Sequence, residues 1–300
     1  MRSSDRLSRN AVWGCRASNL HPEEILVSYK YILYEVKDRV AVITFNRPEK
    51  LNAWLGEMVG EIRDALVSAN EDDGVGAIIA TGAGRGFCAG ADIIEEFKRR
   101  TDSIDAGHLD EEKERGAGIN LGLLRDPLHR GKPVIAAING YAVGAGFTFA
   151  LNCDIRIASE EAKLNSMFLR VGLVPEFGST WLLPRVVGLA KACELVLMPR
   201  MLEAREALEM GLLSKVVSAD QLMPEAMAMA KTIAQGPSFA VRKAKEMLYR
   251  NLDASRDDAW QSEMEALVQC VLTPEHREGI RAFIERREPD FHGPGAAGEA

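Results

Sequence analysis

The chain has 300 residues, a formal net charge of −7 and a hydrophobic fraction of 47%, enough for one large domain or two small ones around a sizeable core. The acidic balance argues against a general nucleic-acid binder, and a polyanionic ligand would need local cations rather than a global field. No apolar run approaches the roughly 20 residues that cross a membrane, and the five scattered cysteines (Cys15, Cys88, Cys153, Cys193, Cys270) lack any C-x-x-C spacing, so they read as reduced thiols of a cytosol-like compartment with no metal framework.

Residues 1–28 fit no strand or helix pattern. Arg2, Arg6, Arg9 and Arg16, with few acids, would suit a transit-like leader and organellar import, while the lack of a continuous apolar stretch excludes a secretory signal. The expected reading is a disordered extension or a misassigned start. Residues 31–36 and 39–45 read as two strands joined by a tight turn at Lys37-Asp38, and Pro48 stops the second. Leu51, Leu55, Met58, Ile62 and Leu66 recur at helical spacing and predict a helix over 51–69. A buried strand follows over 76–81. It runs into the small-residue turn Gly82 to Asp92, and a helical pattern starts at Ile93.

Residues 97–131 are polar, charged and interrupted, which predicts a long irregular segment or a loosely packed helix. Val134 to Ile138 is apolar throughout, as in a strand covered on both faces. The turn signal Asn139-Gly140 ends it, and Gly144, Ala145 and Gly146 open a run of small and apolar residues that reads as a buried helix. Residues 155–158 are a further strand. Helices are expected over 190–198, 204–211, 222–234, 239–248 and 257–272, the last three in a run without strands. The expected organisation is an extension over 1–28, a core over 29–220, a helical portion over 221–292 and a tail over 293–300.

Both glycine-rich turns join a strand to a helix. Such a turn admits close approach of a ligand and aims free helix N-terminal N–H groups at it. Two donors from two turns could hold a carbonyl oxygen that becomes an anion. Other motifs fail. Gly82-x-Gly84-x-Gly86 has Phe87 where a dinucleotide fingerprint needs its third glycine, and Gly131-Lys132 runs into Pro133 rather than Ser or Thr. His21, His108, His129, His276 and His292 form no ligand spacing and read as surface or loop histidines, and no histidine lies in either turn to activate Cys88.

Five motifs stand in register over roughly residues 31–291: Asn46-Arg47-Pro48, Gly86-Phe87-Cys88-Ala89-Gly90-Ala91-Asp92, the run from Pro133 to Gly140, Cys153-Asp154-Ile155-Arg156, and the run from Glu278 to Arg287. The chain resembles the crotonase family, the enoyl-CoA hydratases and isomerases. The resemblance implies an α/β fold, a crotonase-like ββα spiral with parallel strands in its main sheet and a C-terminal helical trimerisation portion. It implies an acyl-CoA thioester as substrate, coenzyme A entering only as part of that substrate, and no separate cofactor. It also implies a homotrimer or dimer of trimers, while the charge, hydropathy and cysteine usage above give the expectation of no nucleic-acid or membrane partner and a cytoplasmic location.

By the same resemblance the oxyanion donors would be the backbone N–H groups of Ala89 and Ala145. Ala53, Ala91, Asp92, Ile93, Tyr141, Gly144, Thr148 and Phe168 would line the substrate. Arg47 and Lys50 would meet the CoA charges, and Phe283 and Arg286 would reach CoA, sometimes across a subunit boundary. The hydratases of the family use two glutamates. Their positions are held here by Thr148 and Phe168, neither of them acidic. Glu176, directly after Pro175, occupies the place where Δ3,Δ2-enoyl-CoA isomerases and related ring-opened phenylacetyl-CoA isomerases carry Glu or Asp. One carboxylate suffices for a double-bond shift, and burial among apolar residues should raise its pKa toward a useful range. The expected activity is therefore isomerase. A hydratase working with Glu176 alone, and an acyl-CoA-binding homologue without catalysis, remain as alternatives.

Overall fold

The computed structural model describes residues 29–114 and 120–293. The proposed extension over 1–28 and most of the proposed tail fall outside them. β1 (Ile32–Lys37) and β2 (Val40–Phe45) form an antiparallel hairpin whose turn residues, Asp38 and Arg39, both have positive φ (53° and 64°). Left-handed residues at both turn positions match the twist of the flanking strands. Then α1 (Gly56–Glu71) leads to β3 (Ala77–Gly82), closely followed by β4 (Gly86–Cys88), a π-helical turn over Ile93–Lys98, α2 (Arg99–Asp105), α3 (Leu109–Glu114) and α4 (Arg125–His129). β5 (Val134–Ile138), β6 (Tyr141–Val143), α5 (Ala145–Asn152), β7 (Ile155–Ser159) and β8 (Lys163–Asn165) carry the centre of the chain. The rest runs through α6 (Ser179–Val187), α7 (Leu189–Leu197), β9 (Leu202–Glu203), α8 (Ala204–Glu209), β10 (Lys215–Val217), α9 (Ala219–Ala234), α10 (Ser238–Arg250), α11 (Arg256–Val271) and α12 (Pro274–Glu285).

The main sheet has the order β1-β2-β3-β5-β7-β10, parallel from β2 onward. Its strands are apolar throughout because both faces are covered. On one face Val40, Val42, Ala77, Ile79, Ile135, Ala137 and Ile157 meet Leu222, Ala226, Ala230 and Ala234 of α9. Those four recur every fourth residue, so they form a single stripe along the helix. On the other face α1 packs Met58, Ile62 and Leu66 against the sheet, beside a cluster of Phe45, Trp54, Phe87 and Phe149. Phe45 lies 5.2 Å from Trp54 and 5.2 Å from Phe87, edge-on in both pairs, the arrangement that ring quadrupoles favour.

A second sheet, β4-β6-β8-β9, holds the glycine-rich turns. Its strands have three residues or fewer. Gly146 lies at its contact with α5, where a Cβ would stand 2.3 Å from the Cys88 carbonyl oxygen.

Several expectations are corrected. Leu51 and Leu55 precede the helix: Leu51 and Asn52 have φ of 50° and 57°, and α1 starts at Gly56. The Asn52 side chain fixes that bend, accepting from Arg47 N at 2.8 Å and donating to Ala83 O and Gly86 O at 2.9 and 2.7 Å. The described part of 97–131 holds three short helices and a 3-10 turn over Leu121–Leu124. The packing has no break at 220/221, because α9 is one cover of the main sheet. The peripheral part is α10 to α12, and it is anchored. Lys245 of α10, 6% exposed, pairs with Asp154 at 2.8 Å and donates to Lys132 O at 3.0 Å. Near the end, Glu278 pairs with Arg287 at 2.7 Å and accepts from Asp290 N at 3.0 Å, contacts that hold its carboxyl down at about 2.

Candidate active site

The two glycine-rich turns touch. A Cβ on Gly90 (φ 100°) would lie 3.1 Å from the Val143 carbonyl oxygen and 3.8 Å from the Ala145 nitrogen. Gly144 has φ 53° and ψ −118°, a conformation essentially confined to glycine. Together they allow the two backbones to approach. Ala145 is the first residue of α5, so its N–H has no partner within the helix.

The first donor is not the one expected. The Ala89 N–H donates to Leu51 O at 3.0 Å, so it is already spent within the fold. The neighbouring segment pairs with the chain near Trp54: Trp54 N donates to Gly90 O at 2.8 Å, and Asp92 N donates to Trp54 O at 2.9 Å. In that parallel pattern the Ala91 N–H faces away. Among the described residues, the Ala91 and Ala145 N–H groups donate to no backbone carbonyl. Both residues line one cavity of about 220 Å³.

Glu176 lines the same cavity, which is otherwise apolar, with Phe97, Met167, Phe168 and Leu173 among its walls. Burial pushes the Glu176 carboxyl above its ordinary range, and no side-chain hydrogen bond relieves it among the described residues. The turn carrying it is constrained. Phe177 and Gly178 have φ of 56° and 69°, and a left-handed aromatic residue is strained. The Phe177 carbonyl accepts from Asn152 Nδ2 at 2.9 Å, and Glu176 O accepts from Ser179 N at 3.0 Å.

Asn152 also donates to Thr148 O at 2.7 Å. With both amide hydrogens directed at carbonyls, its Oδ1 must accept at the 2.9 Å contact with His129 Nε2, so the His129 proton sits on Nε2. His129 is thus no surface histidine. It is half-buried, and burial lowers its pKa. It lines a second cavity of about 720 Å³ that Glu176 also borders. The sequence offered no signal for this, since its partner lies 23 residues away.

Ala89, Ala91, Ile93, Gly144, Ala145, Phe168 and Glu176 converge on the smaller cavity. The other expected residues do not line it. Arg47 is buried, donates to Ala53 O and pairs with Asp92 at 3.2 Å, so its charge is not free for CoA. Asp92 also accepts from the Ile94 and Glu95 N–H groups, capping the π-helical turn. Burial would push its carboxyl up, but the Glu95 N–H and Arg47 outweigh that and hold it below the usual range. Thr148 is fully buried and its hydroxyl donates to Ala145 O at 3.2 Å. Tyr141 is half-buried on β6. Lys50 is exposed, as are Arg286 and Phe283, the latter at 83%. Cys88 is buried with its thiol pushed up to about 12 by desolvation, which suits a packing role. Among the described residues no group of His, Cys, Asp and Glu could hold a metal ion, and no helix is long and apolar enough to cross a membrane.

Two backbone N–H groups without a backbone acceptor among the described residues and one buried carboxyl on a shared cavity make a site that can stabilise a developing oxyanion and transfer a proton. The family model described as enoyl-CoA hydratase/isomerase matches residues 35–294. The chain belongs to that family. It is 38% identical over 266 residues to the Mycobacterium leprae (strain TN) protein named "Probable enoyl-CoA hydratase echA8", covering 88% of this chain and 99% of that protein. It is 35% identical over 269 residues to the 1,2-epoxyphenylacetyl-CoA isomerase of Escherichia coli (strain K12), with coverage of 88% and 99%. The crystal structure of an enoyl-CoA hydratase from Bacillus anthracis superposes with a TM-score of 0.77 at 33% identity, covering 87% of this chain and 98% of that one.

Proposed function

We propose that the protein is an enoyl-CoA isomerase that moves a double bond by proton transfer, with Glu176 as the acid/base. The single observation that carries this reading is the buried, otherwise unpaired Glu176 carboxyl facing the cavity that Ala91 and Ala145 also line. The thioester oxygen of a 3-enoyl-CoA sits against the two N–H groups. Glu176 takes a proton from C2, the freed electron pair forms C1=C2 and moves charge onto the thioester oxygen, and the C3=C4 bond conjugates with it in the resulting dienolate. Glu176 then returns the proton to C4: the charge returns through C2=C3 as the C3=C4 pair takes the proton, giving the conjugated 2-enoyl-CoA. Each fixed donor contributes on the order of 10²–10³ in rate, and the carboxylate a further ~10²–10⁴. No water enters the balance.

The names of the relatives favour a second reading, hydration of a 2-enoyl-CoA. Two features weigh against it. Thr148 turns its hydroxyl back onto its own helix, and Phe168 presents an apolar ring to the cavity, so a water has one carboxylate beside it rather than two. The test is a paired assay on trans-3-enoyl-CoA and trans-2-enoyl-CoA with wild type and Glu176→Gln. The isomerase reading predicts conjugation of the 3-enoyl substrate that Glu176→Gln abolishes. Water addition to the 2-enoyl substrate with no conjugation of the other contradicts it.

An assembly of three copies belongs to the same proposal. Trp260 and Val268 on α11, Leu272 just past its end, and Phe283 and Ile284 on α12 are between 58% and 83% exposed, a patch that a second copy of the chain would cover.

A further inference from the structure

The larger cavity, about 720 Å³, shares the lining residue Glu176 with the smaller one. The two differ in chemistry. The smaller is walled by apolar side chains. The larger is bordered by Arg125, His129, Asn152, Tyr249 and Arg250. Its other acid besides Glu176, Asp253, is occupied: it accepts from Arg185 at 3.0 Å and from Trp181 Nε1 at 3.2 Å. Arg125 and Arg250 have no ion-pair or hydrogen-bond partner among the described residues, and both are exposed. Set against the Glu176 carboxylate that the proposed reaction requires, the two arginines still leave this cavity a positive excess inside a chain of net charge −7.

Proton transfer from C2 to C4 requires both carbons to lie at Glu176. The thioester is behind them, against Ala91 and Ala145, so the carbons beyond C4 continue past Glu176 into the larger cavity. A plain alkyl chain there would strip water from two guanidinium groups and give nothing back. A carboxylate at the chain end would pair with them in the planar geometry that arginine favours.

We propose that the larger cavity receives the distal end of the acyl group and selects one that ends in a carboxylate, the mono-CoA thioester of a dicarboxylic acid, with Arg125 and Arg250 as the recognising residues. This rests on the placement of the thioester argued above and deepens it to a substrate class.

The experiment is calorimetric binding of two saturated ligands that cannot react, adipoyl-CoA and hexanoyl-CoA, to the full chain and to the Arg125→Gln/Arg250→Gln variant. Wild type should bind adipoyl-CoA at least about tenfold more tightly, the scale of one charge-assisted hydrogen bond. The variant should lose that advantage and bind hexanoyl-CoA at least as tightly as wild type does, which also shows that it is folded. Equal affinity of wild type for the two ligands, or a variant that weakens both alike, would overturn the inference. Absence of isomerisation in the catalytic assay would leave these binding results standing. Failure of either ligand to bind wild type would remove the acyl-CoA site and this inference together.

Discussion

Asn152 holds the Phe177 carbonyl at 2.9 Å, and through it the last turn of α5 fixes the bend that presents Glu176. The first turn of the same helix supplies the Ala145 N–H. One short helix therefore sets the distance between the Ala145 N–H and the Glu176 carboxyl, the groups that the proposed reaction uses as oxyanion donor and base. The strained φ of Phe177 makes that bend costly without its partner.

Asn152→Ala should therefore lower kcat by roughly 10–100-fold with little change in KM, since misplacement of a catalytic group by about an ångström has consequences of that order. Steady-state kinetics on a 3-enoyl-CoA separates the two parameters. A rise in KM at unchanged kcat would place Asn152 in substrate binding instead.

Ala145→Pro removes one oxyanion donor while keeping a ring compatible with the first helical position. Turnover should fall on the order of 10²–10³-fold, with the far-ultraviolet circular dichroism preserved. Wild-type turnover in a folded Ala145→Pro variant would show that this N–H does not meet the thioester oxygen.

Burial raises the Glu176 pKa in the folded state, so the folded protein binds that proton more tightly than the unfolded chain does. The stabilising contribution of the protonated form is full below the ordinary glutamate pKa of about 4.3. It is lost as pH rises through the higher folded value. Glu176→Gln should accordingly raise the melting temperature at pH 7.5 and confer no such gain near pH 4. Thermal unfolding at the two pH values checks this, and a gain that is larger at the acid pH would contradict the assigned direction. His129 has the opposite dependence. Its lowered pKa means that stability present above about pH 6.5 declines as pH falls below it.

Much of the fold is legible because its signals are local and strong. β5 is five apolar residues buried on both faces, and the four-residue stripe of α9 is plain in the sequence. The run from 257 to 272 matches α11 to within one residue at each end. The second sheet is illegible for a physical reason: two or three residues cannot display a period of two. Leu51 belongs to the helical pattern by spacing, yet the Asn52 side chain bends the chain there through contacts up to 34 residues away. The choice between Ala89 and Ala91 as donor depends on which N–H the Leu51 carbonyl takes, and that pairing is equally non-local. Arg47 reads as a cation near CoA until the fold delivers Asp92 from 45 residues away. Glu176 is expected at the site through the family resemblance and does line the cavity, whereas the contacts of His129 and Asn152 arise only from tertiary structure.

A double-bond shift by one carboxylate, without addition of water, is tested most directly by the mass and absorbance of the product formed from trans-3-hexenoyl-CoA. Wild type should form a conjugated product of unchanged mass, and Glu176→Gln should form none. A product heavier by one water, with no conjugated species of unchanged mass at any time point, would contradict it.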